Sequence, residues 1–323
     1  MRAFEYAAAR TPADAFARTT PRTAYLAGGT TLVDLMKLGV VEPDAVIDIN
    51  GLGLRGIRLD RDGLRVGALE RMSDVAEHPV VAAEFPVVAQ ALQASASPQI
   101  RNMASIGGNL LQRTRCGYFR DVATACNKRQ PGSGCPAQTG ANRGHAVFGT
   151  SASCVATHAS DLAVALVALD ARVELAGPAG RREVPLADFY RLPGDSPQVE
   201  NDLRPGELVT AVAVPRLAFA RRSTYLKVRD RQSYEFALVS VAAALDVRNG
   251  TVRDVRLAVG GVGTRPWRLP LAEQALRGKR LTEATARQAV EAGTADARPL
   301  AFNAFKPALL RRTAVRTLLA LGG

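Results

Sequence analysis

All four cysteines of the chain, Cys116, Cys126, Cys135 and Cys154, fall inside one 39-residue window of a 323-residue sequence. Nine, eight and eighteen residues separate them. The stretch that carries them, residues 110–157, has few aliphatic residues and is broken by Pro131, Gly132, Gly134, Pro136, Gly140 and Gly144. Neither helical nor strand periodicity survives such spacing, so the stretch reads as a long irregular loop. Loops of that length inside a compact domain are uncommon and are usually functional or disordered. Four thiols along it favour function, and three chemistries stay open. Four thiolates complete the ligand set of a 4Fe–4S cluster. Zinc normally takes closely spaced C-x2–4-C pairs, which are absent, although His145 and His158 are nearby. Two disulfides require an oxidising compartment. His145 and His158 read as structural or hydrogen-bonding side chains, and His78 as a surface or capping residue.

The rest of the chain is ordinary for a globular protein, with 47% apolar and 22% charged residues, and its length suggests about two domains. Strand signals lie at Ala24–Ala27, Ala45–Ile49, Leu64–Leu69, Arg172–Leu175, Leu208–Pro215, Ser223–Val228, Ala237–Val247 and Val255–Val259. Helical signals lie at Thr31–Leu38, Met72–Glu77 with Ser73 as cap, Pro86–Ala96, Leu162–Leu169, Leu271–Leu276, Glu283–Ala292 and Pro307–Leu321. Ser160 or Asp161 starts the helix at 162. Asn249-Gly250 between two strand signals marks a hairpin. The last zone, from about Arg221, reads as a sheet with helices on one side. No run approaches the ~18 apolar residues of a membrane span. Arg2, Glu5, Arg10, Asp14 and Arg18 interrupt the start of the chain, so no secretory signal peptide is expected and the sequence points to the cytoplasm.

The formal net charge is +12. Residues 101–150 hold Arg101, Arg113, Arg115, Arg120, Lys128, Arg129 and Arg143 against Asp121 alone, a local +6. Lys306, Arg311, Arg312 and Arg316 form a second patch on the last helix, where they are expected to suit the C-terminal dipole. A basic loop with cysteines admits a zinc-stabilised nucleic-acid-binding protein, but it has few stacking aromatics, Tyr118 and Phe119 among them, and no binding motif accompanies it. No nucleic acid is therefore expected as a partner.

Three glycine motifs compete for a phosphate. Gly51-Leu-Gly53-Leu-Arg-Gly56 matches G-x-G-x-x-G, but Ile57 to Asp60 alternates like a strand where a dinucleotide fold needs a helix. Gly28-Gly29-Thr30-Thr31 is better placed, between a strand and a helix, with successive N–H groups and two hydroxyls to offer an anion. Ser105-Ile-Gly-Gly108-Asn109 is a second such turn ~75 residues later.

Tyr25-Leu-Ala-Gly-Gly-Thr-Thr-Leu32, Val66-Gly-Ala-Leu69, Met103-Ala-Ser-Ile-Gly-Gly-Asn109 and Ser160-Asp-Leu162 occur in the order found in the FAD-binding medium subunits of molybdenum hydroxylases, which the chain resembles over nearly its whole length. The resemblance implies an α+β fold. Residues 1–220 would form a vanillyl-alcohol-oxidase-type, two-part FAD-binding domain, with subdomains 1–60 and 61–220. Residues 221–323 would form a C-terminal α+β domain, an antiparallel sheet with helices, of the CO dehydrogenase flavoprotein type. Tyr25, Leu26, Ala27, Gly28, Gly29, Thr30, Thr31 and Leu32 would wrap the FAD pyrophosphate. Ser105, Gly108 and Asn109 would form a second loop over the cofactor. Asp161 matches a cofactor-contacting carboxylate, Val209 would pack near the flavin, and Lys227 matches a lysine at the flavin edge.

The insertion at about 110–157 is similar to that of the type seen in bacterial periplasmic aldehyde oxidoreductase. That likeness makes a 4Fe–4S cluster on Cys116, Cys126, Cys135 and Cys154 the preferred reading. It implies an electron-transfer subunit with no acid–base residues of its own. Its partners would be a large molybdenum-cofactor subunit and a small 2Fe–2S subunit, with FAD passing electrons to an external acceptor. Export with a partner bearing a twin-arginine signal is the alternative to a cytoplasmic location. Xanthine dehydrogenase and hydroxybenzoyl-CoA reductase subunits, and a free-standing FAD oxidase, are the rival readings. In the subunit reading the basic loop would compensate buried anions and face partner subunits.

Overall fold

A computed structural model describes residues Met1–Gly323. The chain opens with β1 (Glu5–Ala8), α1 (Pro12–Ala17), β2 (Thr23–Leu26), α2 (Leu32–Lys37) and β3 (Ala45–Asp48), a parallel sheet with β3 in the middle. Thr11 starts α1 by accepting from the Asp14 N–H, and Pro12 occupies the first turn, where a missing N–H is harmless. Ile47 and Leu52 of this unit pack against Leu69 and Leu208 from the next, a small shared core.

β4 (Ile57–Leu59) and β5 (Gly63–Gly67) follow. A strand succeeds Gly56, so the G-x-G-x-x-G match offers no helix N-terminus to a phosphate. Short helices come next: α3 (Met72–Glu77), α4 (Pro79–Glu84), α5 (Pro86–Ala94), α6 (Pro98–Met103), α7 (Ile106–Leu110) and α8 (Gly117–Arg120). Proline opens α4, α5 and α6, and Pro79 and Pro86 also stop the helices before them. Ser73 does not cap α3, because the helix already begins at Met72, and the side chain of His78 caps neither neighbouring helix. Residues 121–160 hold no regular element beyond one tight turn at Pro136–Gln138.

α9 (Asp161–Ala168) is buried on every side. Ser160 is its cap, accepting from the Ala163 N–H at 3.0 Å. β6 (Arg172–Gly177), β7 (Gly180–Pro185), α10 (Leu186–Phe189) and β8 (Leu208–Pro215) complete an antiparallel sheet ordered β4-β5-β8-β6-β7.

The last part is a four-stranded antiparallel sheet of β9 (Ser223–Val228), β10 (Val239–Arg248), β11 (Thr251–Gly260) and β12 (Trp267–Arg268), with α11 (Pro270–Leu276), α12 (Glu283–Gly293) and α13 (Lys306–Gly322). Asn249 and Gly250 both have positive φ, 51° and 74°, as a two-residue hairpin turn with the strands' own twist requires. Every residue from Val239 to Leu245 is buried. Val241, Ala243 and Leu245 join the core beneath α11–α13, whereas Ala242 and Ala244 join the large core containing α5 and α9. The sheet is thus covered on both faces, not one. Helices of its own part cover one face, and the preceding part covers the other, where alanines let α9 approach closely.

The final helix corrects a second expectation. No basic residue lies in its last turn, and Lys306 sits at its start, fully buried. Its ammonium donates to the carbonyls of Gly144, His145 and Gly261 at 3.1, 3.0 and 2.6 Å. Burial, with Arg143 adding to it, pushes this lysine down to about 7. It pins the cysteine loop to the C-terminal sheet. No helix is long and apolar enough to cross a membrane.

Candidate functional site

The two glycine turns are pressed together. A side chain at Gly28 would bring a Cβ 2.0 Å from the Met103 carbonyl oxygen, so only glycine permits this approach. Gly29 has φ +70°, which turns the chain from β2 toward α2. In the second turn the Ser105 hydroxyl accepts from the Gly108 N–H at 3.2 Å. Asn109 accepts from the Ser160 hydroxyl at 2.6 Å, which ties this turn to the start of α9.

A cavity of about 200 Å³ opens between them, lined by Thr30, Thr31, Gly108, Asn109, Asp161 and Lys227 among others. It shares Arg115, Ala159, Asp161, Glu235 and Phe236 with a larger chamber of about 880 Å³. The two spaces thus adjoin in one cleft, and the larger is within the size range of small-molecule sites. Of the expected cofactor residues, Tyr25, Leu26, Ala27, Gly28, Gly29, Leu32 and Ser105 line neither space. Val209 lies on β8 inside the large core and lines neither space.

Asp161 is the polar centre of the cleft. It accepts from Lys227 Nζ at 2.8 Å, from the Tyr225 hydroxyl at 2.5 Å and from the Ser95 hydroxyl at 3.1 Å. The side chains of Lys227 and Asp161 are 3% and 8% exposed, so this is a buried ion pair. Lys227, the lysine matched to a flavin edge, is thus paired with Asp161. Burial, together with Asp161, raises the Tyr225 hydroxyl well above its ordinary range and keeps it a donor. Tyr225 and Lys227 stand two residues apart on β9 and so share a face. That spacing was a readable signal for the triad, and Tyr225 is the member the sequence reading left out.

Cys116, Cys126, Cys135 and Cys154 all line one small, mostly apolar pocket with Phe119 and Ala137. None is disulfide-bonded. Burial pushes the Cys116 thiol up to about 11 and also raises Cys154, so these thiols yield their protons only to a strong ligand-binding partner. Side chains that bond to main chain hold the loop. Asn127 accepts from the Gly134 N–H at 2.7 Å and donates to Ser153 O at 3.1 Å, while Gln138 donates to Ser151 O at 2.7 Å. His145 Nε2 lies 3.2 Å from Cys116 Sγ.

Folding sets three carboxylates, Asp34, Glu200 and Asp230, against the local +6 and so halves it. Arg115 and Arg120 pair with Asp34, Arg113 and Lys128 with Glu200, and Arg143 with Asp230. Arg129 donates to Tyr118 O and Phe119 O, and Arg101 to Ser95 O. Burial pushes Glu200 up, but Lys128 and Arg113 outweigh it and hold the carboxyl below its usual range. The loop is a cross-linked support and not an open basic surface, which removes the main argument for nucleic acid.

Residues 2–217 match the FAD binding domain in molybdopterin dehydrogenase, and residues 224–321 match the CO dehydrogenase flavoprotein C-terminal domain. The chain belongs to the FAD-binding medium subunits of the molybdenum hydroxylase family. It is 47% identical over 322 residues to the aldehyde oxidoreductase FAD-binding subunit PaoB of Escherichia coli K12, covering 98% of both chains. It is 30% identical over 269 residues to the glyceraldehyde dehydrogenase medium chain of Sulfolobus acidocaldarius, covering 83% of this chain and 78% of the relative. Among solved structures, carbon monoxide dehydrogenase from Hydrogenophaga pseudoflava superposes with a TM-score of 0.76 at 27% identity, over 98% of this chain and 96% of that one.

Proposed function

We propose that this chain is the FAD-carrying, electron-transfer subunit of a heteromeric molybdenum-cofactor aldehyde oxidoreductase, and that its four cysteines hold a 4Fe–4S cluster. The observation that carries the reading is a shared wall: Cys116 lines both the four-thiol pocket and the large chamber of the flavin cleft. Bound flavin supplies two-electron chemistry and an iron–sulfur cluster single-electron transfer, so their adjacency suits a relay. The aldehyde class follows from the likeness to the Escherichia coli subunit, and the large molybdenum-cofactor and small 2Fe–2S partners are carried over from the resemblance to the family.

The residues fit both groups. The Gly28-Gly29 turn, with Thr30 and Thr31, and the Ser105–Asn109 turn would hold the pyrophosphate from two sides. Asp161, fixed by Lys227 and Tyr225, would orient the cofactor between them. Four thiols in one pocket match the cluster's ligand number. Zinc fits less well. Its usual closely spaced C-x2–4-C pairs are absent, the four cysteines being nine, eight and eighteen residues apart. The missing aliphatic content of the loop also makes sense, since the cluster would replace a hydrophobic core. Anaerobic purification of the complex tests the reading. Four irons per chain and broad visible absorption in addition to flavin are expected. A Cys126→Ser protein that keeps all its iron overturns the four-cysteine ligand set.

A further inference from the structure

His145 stands at the wall between the two spaces. It lines the flavin chamber, and its Nε2 approaches the sulfur of the one cysteine that lines both. Its other ring nitrogen, Nδ1, is buried without a partner. A neutral imidazole carries one N–H and one lone pair. If Nε2 accepted a thiol proton, the ring's N–H would fall on Nδ1 and be buried unpaired, the costlier arrangement. If Cys116 is a thiolate ligand there is no thiol proton, and Nε2 carries the hydrogen and donates it to sulfur.

The main chain, not the ring, holds this residue in place. Its N–H donates to Asn142 O at 3.0 Å. Its carbonyl accepts from Lys306 Nζ at 3.0 Å and Asn303 Nδ2 at 3.1 Å. The imidazole can therefore be exchanged without removing the frame. Cys154 Sγ accepts the Ala156 N–H at 3.5 Å, and Cys116, which also takes main-chain N–H bonds from Tyr118 and Phe119, is the one of the four with a side-chain donor.

We infer that His145 is a tuning residue for a cluster held by these cysteines: its Nε2–H bond to Cys116 Sγ would favour the reduced state and raise the cluster's reduction potential. This rests on the cluster reading above. Hydrogen bonds to ligand sulfurs and the residues around the ligands are among the determinants of such potentials. A reduced cluster is more negative, so the same N–H is held more strongly after reduction than before.

The test is an electron-paramagnetic-resonance redox titration of the anaerobic holo-complex, with iron content measured in parallel, for His145→Phe, His145→Leu and His145→Gln. The two apolar variants are expected to keep four irons per chain. At a fixed ambient potential they should shift the reduced-to-oxidised ratio about tenfold toward oxidised, the size of a modest charge-assisted hydrogen bond. That equals about 59 mV for a one-electron couple. The glutamine amide restores a donor and should recover most of the shift. An apolar variant with full iron and an unmoved potential overturns the role of His145 alone. An equal shift in the glutamine variant also overturns it, because loss of ring volume then explains the change. A wild-type complex without iron overturns the cluster reading itself.

Discussion

The β10–β11 hairpin and the cysteine loop touch through Lys306, through the Phe148 to Gly263 bridge and through the Val147 N–H on Val262 O. What holds one is nearly absent from the other. The hairpin is a backbone ladder with both faces apolar, and its information repeats every two residues. The loop has one turn of helix at α8 and one tight turn, and is held residue by residue through Asn127, Arg129, Gln138 and Asn142. A repeating pattern tolerates local error, whereas a set of unique contacts fails at whichever contact is removed.

Four measurements break or sharpen that contrast. Leu257→Ala empties a fully buried site in the hairpin core. It should cost about 2–5 kcal/mol by denaturant titration, with flavin and iron per folded chain unchanged. A loss of iron at wild-type stability means that the hairpin and loop are one unit.

Acid should act through the loop's end. Burial pushes His158 down to about 4, against its ordinary value near 6.5, and its Nε2 has no partner. The unfolded chain then binds a proton that the folded chain refuses. The stabilisation is complete above pH ~6.5 and is lost as pH falls toward 4, by about 2 kcal/mol once partial exposure is allowed for. Unfolding midpoints at pH 7 and 4.5 should diverge more in wild type than in His158→Gln; parallel midpoints refute the assignment.

Asn127→Ala removes both the acceptor for Gly134 N–H and the donor to Ser153 O. About 1–2 kcal/mol is expected, seen as faster hydrogen exchange at 126–135 with Val239–Gly260 unaffected. Equal acceleration in the hairpin denies the loop its independence. Least is expected of Asp34→Asn. Its ion pairs with Arg115 and Arg120 are partly solvated, so under about 1 kcal/mol should be lost, and less in high salt.

The same contrast governs what could be read from sequence. Asn249-Gly250 and the apolar run after Ala237, broken only by Ser240 as far as Leu245, announced the hairpin, but periodicity cannot say which distant helix covers a second face, so α9 behind Ala242 and Ala244 was not foreseen. β1 and β7 escaped notice because they are short and largely exposed and carry no apolar alternation. The two glycine turns were visible; their contact at Gly28 was not, being a tertiary distance. The +6 window was arithmetically right and spatially wrong. Its balancing acids, Asp34, Glu200 and Asp230, lie far outside it in sequence. Lys306 was grouped with surface charge because nothing in its neighbours marks it as buried.

Trp267 gives the junction an optical handle. It is the chain's single tryptophan, and its indole stacks on Phe148 of the loop, with ring centroids 5.5 Å apart and planes 19° from parallel. Intrinsic fluorescence excited at the tryptophan band therefore comes from one place, the seam where the loop meets the C-terminal sheet. A red shift that precedes global unfolding would time the undocking of that seam directly, with no label attached.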